Sequence, residues 1–344
     1  MDSLTQIALG AAVGEAVLGR RVGRKAAVWG ALCGTLPDLD VFVPLGDAVR
    51  DFTYHRGASH SLFVLAALTP LIAWLMRRVH PDARDYRFGV PAMIYLVFLT
   101  HVLLDSFTVY GTQIFWPFVT TPMTWSTIFI IDPAYTMPLA IGVLVAVVAH
   151  RSSWAYRANL AGLALSTLYL GWSLGAKLYV HHVAEESLAA QGVAAERLLS
   201  TPTPFNTVLW RFVAMTGTGD YYEGYYSLLE DAADVRWERH DSANELLQPL
   251  TDSWAVQRLQ WFTKGFYRVD RKGDAIVMTD LRMGLEPDYV FRFRVGEIGN
   301  PHATPVARSV RVRTERSWEA LDWLAARLNG PAAASWASWK HQEG

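Results

Sequence analysis

Four apolar stretches, at residues 61–76, 88–107, 133–149 and 158–176, constrain this chain more than any other feature. Each runs for 16 to 20 residues, close to the roughly 20 that an α-helix needs to cross the hydrocarbon of a bilayer. Two weaker stretches precede them. One, at 4–19, carries Glu15; the other, at 26–45, is broken by Pro37, Asp38 and Asp40. Both read as shorter helices packed inside a bundle. The pattern predicts an α-helical integral membrane bundle of about four to six hydrophobic helices.

The charge distribution divides the chain in two. Residues 1–176 hold 12 Lys/Arg and 10 Asp/Glu, whereas 177–344 hold 19 and 22. The first part has a membrane composition and the second an ordinary soluble one. With one cysteine, Cys33, and 51% hydrophobic residues, neither a disulfide scaffold nor a disordered chain fits. A net charge of −1 leaves no global footprint for nucleic acid.

Basic residues orient the bundle. Four fall in 20–25, four in 77–87 and two in 151–157; the alternate connections hold only Arg50 and Arg56 (37–60) or none (108–132). The positive-inside rule then puts both ends of a six-segment bundle on the non-cytoplasmic side. Asp2 ahead of the first stretch and Arg20 and Arg21 after it are the reverse of a signal peptide.

Beyond 180 the pattern turns soluble. Residues 181–200 read as an amphipathic helix and 201–204, TPTP, as a linker. Strands are expected at 208–215, 221–229, 260–269, 275–282 and 289–295, with turns at 216–220 and 271–274. A last helix, 318–328, is expected after a Ser317 cap. The domain reading is a membrane-embedded metal-site domain (1–180), a helix and linker (181–204), and a soluble α+β domain with an antiparallel sheet (205–344).

Polar residues suited to metal binding gather at the ends of segments on one predicted face. They are Asp38 and Asp40, His55 and His60, and His101 with Asp105. His101 and Asp105 stand four apart and share a helical face. Asp38 and Asp40, following Pro37, can project the same way from an extended segment. Gly57 lets the chain fold His55 and His60 toward one point. Imidazole with carboxylate suits Zn²⁺, Mn²⁺ or Fe²⁺ better than Mg²⁺ or Ca²⁺, and ionisable groups at membrane depth are functional candidates. Each has a plainer reading: the aspartates as caps or loop residues, His101–Asp105 as a helix-tying pair, His55 as a satisfied loop histidine. Arg56 reads equally as a headgroup contact or a catalytic cation. Asp2, Glu15 and Asp132 are further candidates, with capping or ion pairing as alternatives; Ser59 and Ser61 read as caps, and Gln6 as a packing or supporting amide.

The segments MDSLT at 1–5, GTLPDLD at 34–40, HRGASHS at 55–61 and HVLLD at 101–105 resemble the YdjM-type family of bacterial inner-membrane, metal-dependent hydrolases over about the first 180 residues. That family is distantly similar to zinc-dependent phospholipase C and P1-type nucleases. The resemblance implies a bacterial inner-membrane location and zinc as the usual metal. It implies Asp38 or Asp40, His60, His101 and Asp105 as ligands. Relatives often carry a histidine where this chain has Gln6, so one or two ions are expected rather than three.

The reading that follows is a hydrolase acting on a membrane lipid ester or phosphodiester at the outer leaflet, with Asp38 or Asp40 as general base and Arg56 stabilising developing charge. Two alternatives stand beside it: a membrane-anchored binding protein working through its C-terminal half, and a divalent-ion or small-solute transporter. No nucleic-acid partner is expected, and the sequence does not set the oligomeric state.

Overall fold

The computed structural model describes residues 1–344 except 151, 231–233, 301, 315–317, 329, 331–334 and 344, and the side chains of 341–343. The expected Ser317 cap therefore lies outside the described residues. The chain forms two compact units. One comprises Met1–Val43, Tyr54–Leu174 and Pro204–Asn206; the other comprises Pro44–Thr53, Gly175–Thr203 and Thr207–Gly344.

The first unit is helical. Its main helices are α1 (Ser3–Gly14), α2 (Lys25–Thr35), α4 (Leu62–Val79), α5 (Gly89–Ser106), α6 (Pro133–Val148) and the first part of α7 (Ser153–Ala190). A short helix α3 (Ala48–Tyr54) falls mostly in the second unit. Asp2 caps α1, accepting from the Thr5 amide at 3.0 Å. Ser61 caps α4, accepting from the amides of Phe63 and Val64. Asp132 caps α6, whose first residue is Pro133, a position where a missing N–H costs nothing.

Glycines set the tightest contact. Gly10 and Gly14 on α1 face Gly30 and Gly34 on α2, each pair four residues apart, so each helix presents one smooth stripe. A Cβ on Gly30 would lie 2.1 Å from the Gly10 carbonyl oxygen, and one on Gly34 2.5 Å from that of Gln6. Backbones approach this closely only without side chains between them, the small-xxx-small packing of helices in lipid. The contact fixes the end of α2, from which Asp38 and Asp40 follow.

Two helices, α4 and α5, are each 18 residues long and apolar enough to cross a membrane, with hydropathies of 1.7 and 1.5. The expected four to six are not supported. Stretch 133–149 yields the 16-residue α6, and α1 and α2 have 12 and 11 residues. Stretch 158–176 is diluted by groups that bond inward: Ser166 to the Tyr135 carbonyl (2.7 Å), Tyr169 to Asp132 (2.9 Å) and Ser173 to Thr127 (3.0 Å). The window on α4 is only 22% buried, and Leu71 and Trp74 are among its exposed apolar side chains. A face of that kind needs a nonaqueous neighbour.

The second unit carries two four-stranded antiparallel sheets, ordered β1-β2-β3-β4 and β10-β9-β6-β5. The strands are β1 (Arg197–Pro202), β2 (Leu209–Met215), β3 (Tyr221–Ser227), β4 (Arg236–His240), β5 (Tyr267–Lys272), β6 (Ala275–Asp280), β7 (Gly284–Leu285), β8 (Asp288–Tyr289), β9 (Arg292–Glu297) and β10 (Thr304–Arg311). The first sheet is covered on both faces. Trp210, Phe212 and Tyr226 meet Ala176, Val180, Val183 and Ala184 of α7. Leu209 and Tyr225 meet Trp323 of α9 (Glu319–Leu328) and Trp336 of α10 (Trp336–Glu343). Double coverage explains why β2 reads as a continuous run and is buried throughout. The turns at 216–220 and 271–274 join β2 to β3 and β5 to β6; Lys272 pairs with Ala275, with Gly273 at φ 59° between them.

Several expected elements differ. Residues 254–262 form a helix, α8 (Trp254–Phe262), with Val256, Leu259 and Phe262 buried at helical spacing, and the strand begins only at Tyr267. The helix expected at 181–200 ends at Ala190, and β1 takes in residues 197–200 together with Thr201 and Pro202 of the expected linker. β4 and β10 carry no apolar alternation because they are edge strands with charged or exposed faces.

Replacing Gly30 with valine drives a branched side chain into the α1 backbone. Overpacking of this kind costs about 1–3 kcal/mol, so the variant's unfolding midpoint in detergent is expected to fall by several degrees. An unchanged midpoint contradicts the glycine contact.

Candidate metal centre

The centre is built from three short pieces of backbone. After α2 the chain enters a 3-10 helix, Leu36–Phe42. With three residues per turn, positions two apart point about 120° from their starting direction. Asp38 and Asp40 therefore diverge instead of projecting together as expected. Asp38 turns toward His60, and Asp40 toward His55 and Ser59. The second piece is the tight turn at 55–61, in which Arg56 adopts φ 62° and His60 closes a 3-10 turn, Ala58–His60. The third is the last two turns of α5, which carry His101 and Asp105.

Asp38, His60, His101 and Asp105 each offer an atom to one group whose members lie within 4.8 Å of one another. His60 Nε2 is 3.3 Å from Asp38 Oδ1, 3.2 Å from Asp105 Oδ2 and 3.3 Å from His101 Nε2. His60, His101 and Asp105 are buried, and Asp38 is the partly open member.

The outer hydrogen bonds decide the tautomers. His101 Nδ1 lies 2.8 Å from the Gly34 carbonyl oxygen, which only accepts, so the proton is on Nδ1. Ser59 Oγ donates to Asp40 Oδ2 at 2.5 Å, leaving its lone pair to accept from His60 Nδ1 at 2.9 Å. With Nδ1 bonded outward, both rings turn Nε2 to the same point as two carboxylate oxygens, as a metal-binding imidazole would. Asp105 Oδ2 is buried without a hydrogen-bond partner. Four electron-rich atoms converging in a buried place repel one another unless a cation lies among them. The donor set fits a divalent ion with nitrogen and oxygen ligands, and each histidine's second nitrogen is held as metal-binding histidines usually are.

Asp105 is held from behind. Gln6 Nε2 donates to its Oδ1 at 3.0 Å, and the Met1 amino group pairs with the same oxygen. Arg56 Nε lies 3.2 Å from Oδ2, while Nη1 donates to Thr108 Oγ1 at 3.1 Å and the guanidinium sits over the Tyr110 ring. These groups neutralise part of the carboxylate's charge.

Asp40 and His55 stand beside the cluster and contribute no atom to it. Their side chains pair at 2.7 Å (Asp40 Oδ1 with His55 Nδ1) and are 18% and 21% exposed. The Arg56 amide also donates to Asp40 Oδ2, at 3.1 Å. Burial pushes the Asp40 carboxyl upward, but its contact with His55 above all, together with nearby His60 and the Ser59 hydroxyl, brings it down to about 2. The group is ionised at any working pH and acts as a fixed acceptor for three donors.

Asp2 and Asp132 are occupied as helix caps, and Glu15 lies in the π-helical turn Glu15–Gly19 after α1; none joins the cluster. Gln6 serves as the supporting amide read from the sequence. Thr108, Tyr110 and the Gly34 carbonyl were not anticipated. Gly34 had a signal, its place in the glycine stripe; Thr108 had its position three residues after Asp105.

A family model described as YdjM inner membrane protein matches residues 1–180. No curated protein and no solved structure matches the chain.

Supporting residues of this kind typically change metal affinity 10- to 100-fold. Ser59→Ala is therefore expected to weaken Zn²⁺ binding by about that factor, measured by competition with a chromophoric chelator. Asp105→Ala should abolish binding, and Asp132→Ala should leave it unchanged. Equal affinities in all three contradict the assignment.

Proposed function

The chain belongs to the YdjM inner membrane protein family, and on that premise we propose that it is a membrane-bound metal-dependent hydrolase centred on Asp38, His60, His101 and Asp105. The observation that carries this reading is the meeting of two imidazole lone pairs with two carboxylates, one oxygen of which has no hydrogen-bond partner. Two histidines and two carboxylates suit Zn²⁺, with Mn²⁺ and Fe²⁺ as neighbours in ligand preference. One ion matches four donors this close together. Such an ion supplies Lewis acidity, enough to bring the pKa of water from about 15.7 toward about 7 and to polarise a carbonyl or phosphoryl oxygen.

The chain's own residues do the rest. Asp40 holds His55 through Nδ1, which leaves His55 Nε2 as an acceptor for the proton released by the attacking water. This pair is partly exposed, and the His55 ring lies 6.0 Å from that of His60. Arg56 is fixed by Thr108 and Tyr110 beside Asp105, where its charge offsets negative charge growing on the substrate oxygen. A lipid ester or phosphodiester is the substrate class best suited to a site at the ends of two helices apolar enough to cross a membrane. The site and the C-terminal domain then lie on the non-cytoplasmic face.

The test is incubation of the detergent-purified protein with mixed phospholipids, followed by mass spectrometry. A product that vanishes with chelator and returns with Zn²⁺ or Mn²⁺ is expected. His55→Ala should lower its rate about 10²- to 10⁴-fold while bound metal is retained; loss of the cluster residues should remove both. Retained metal with no metal-dependent product from any phospholipid class contradicts lipid hydrolysis and favours a binding protein.

A further inference from the structure

At the other end of α4 a second polar feature stands apart from the metal centre. Trp74, Arg77, Arg78 and Arg84 line a hollow of about 260 Å³. At a rise of 1.5 Å per residue, the 18-residue α4 separates it from the His60 turn by about 27 Å, roughly the thickness of a bilayer's hydrocarbon.

The arginines are held but not neutralised. Arg77 Nε donates to the Ala73 carbonyl at 3.2 Å, and Arg84 Nε to that of Arg77 at 3.3 Å. Asp82, in the same connection, is paired with Lys25 at 2.7 Å. Among the described residues no carboxylate pairs with Arg77, Arg78 or Arg84. Three guanidinium groups around one hollow repel one another, and a phosphate oxygen cluster relieves that repulsion through forked hydrogen bonds.

The neighbouring surface says which phosphate. Leu71, Trp74, Leu75 and Val79 are exposed along the end of α4, leading directly to the hollow. Tryptophan is enriched at headgroup depth, with its ring at the boundary between chain and water. An apolar track ending in a basic hollow matches acyl chains below and a charged headgroup above.

We propose that this hollow binds the phosphate headgroup of an anionic phospholipid, on the membrane face opposite the metal centre. The site anchors the end of α4 and is independent of any hydrolytic activity.

The experiment is a thermal-unfolding titration of the full chain in neutral detergent with phosphatidylglycerol, phosphatidylcholine or inorganic phosphate. Phosphatidylglycerol is expected to raise the midpoint saturably, and the other two to leave it unchanged. Arg77→Gln/Arg78→Gln/Arg84→Gln should weaken the apparent affinity at least about tenfold, and Arg84→Gln alone about fivefold. The single variant supplies the reading if the triple variant does not fold. Arg239→Gln, an exposed arginine in the second unit, should retain full affinity. An equal shift with phosphatidylcholine overturns headgroup selectivity, an equal shift with inorganic phosphate overturns the lipid source, and full affinity in the arginine variants overturns the site.

Discussion

Two imidazole nitrogens and two carboxylate oxygens face one another in a buried space, an arrangement that a cation held among them would stabilise. Each donor alone has an ordinary explanation. Their convergence does not, because both ring tautomers are set from outside. The Gly34 carbonyl takes the Nδ1 proton of His101, and Ser59, already committed to Asp40, takes that of His60. With Nδ1 engaged outside, each Nε2 faces inward toward the carboxylate oxygens.

The remainder of the helical unit serves this geometry. The glycine stripes let α1 and α2 approach until Gly34 reaches His101, and the same approach brings Gln6 to Asp105. The 3-10 helix after α2 then separates the two aspartates by direction, giving one to the cluster and the other to the supporting chain of Ser59 and His55. Basic groups sit behind Asp105 rather than among the donors. In a low-dielectric interior the Met1 amino group on Oδ1 and Arg56 Nε, 3.2 Å from Oδ2, moderate the charge of this carboxylate.

Much of the site was legible in the sequence, for reasons that differ by residue. His101 and Asp105 share a helix, and their spacing fixes a common face. His60 follows a glycine turn whose tightness is visible in the residues themselves. Asp38 and Asp40 were not separable, since an extended segment and a 3-10 helix place them oppositely and the sequence suits both. His55 read as a ligand because nothing local revealed its pairing with Asp40. In the sheet unit, central strands such as β2 announced themselves through apolar content, while the edges β4 and β10 did not, because an edge strand's exposed face has no need of it. Four to six membrane helices are not supported because α1, α2 and α6 are short, with 12, 11 and 16 residues, and because stretch 158–176 carries the inward-bonding Ser166, Tyr169 and Ser173.

X-ray absorption spectroscopy of the Zn²⁺-loaded full chain tests the central claim most directly, because it reports the ligands themselves. The account predicts a four-coordinate ion with two imidazole nitrogens at about 2.0–2.1 Å and carboxylate oxygens at about 2.0–2.2 Å. A spectrum with no imidazole scattering, or an ion bound only by water and surface carboxylates, contradicts it.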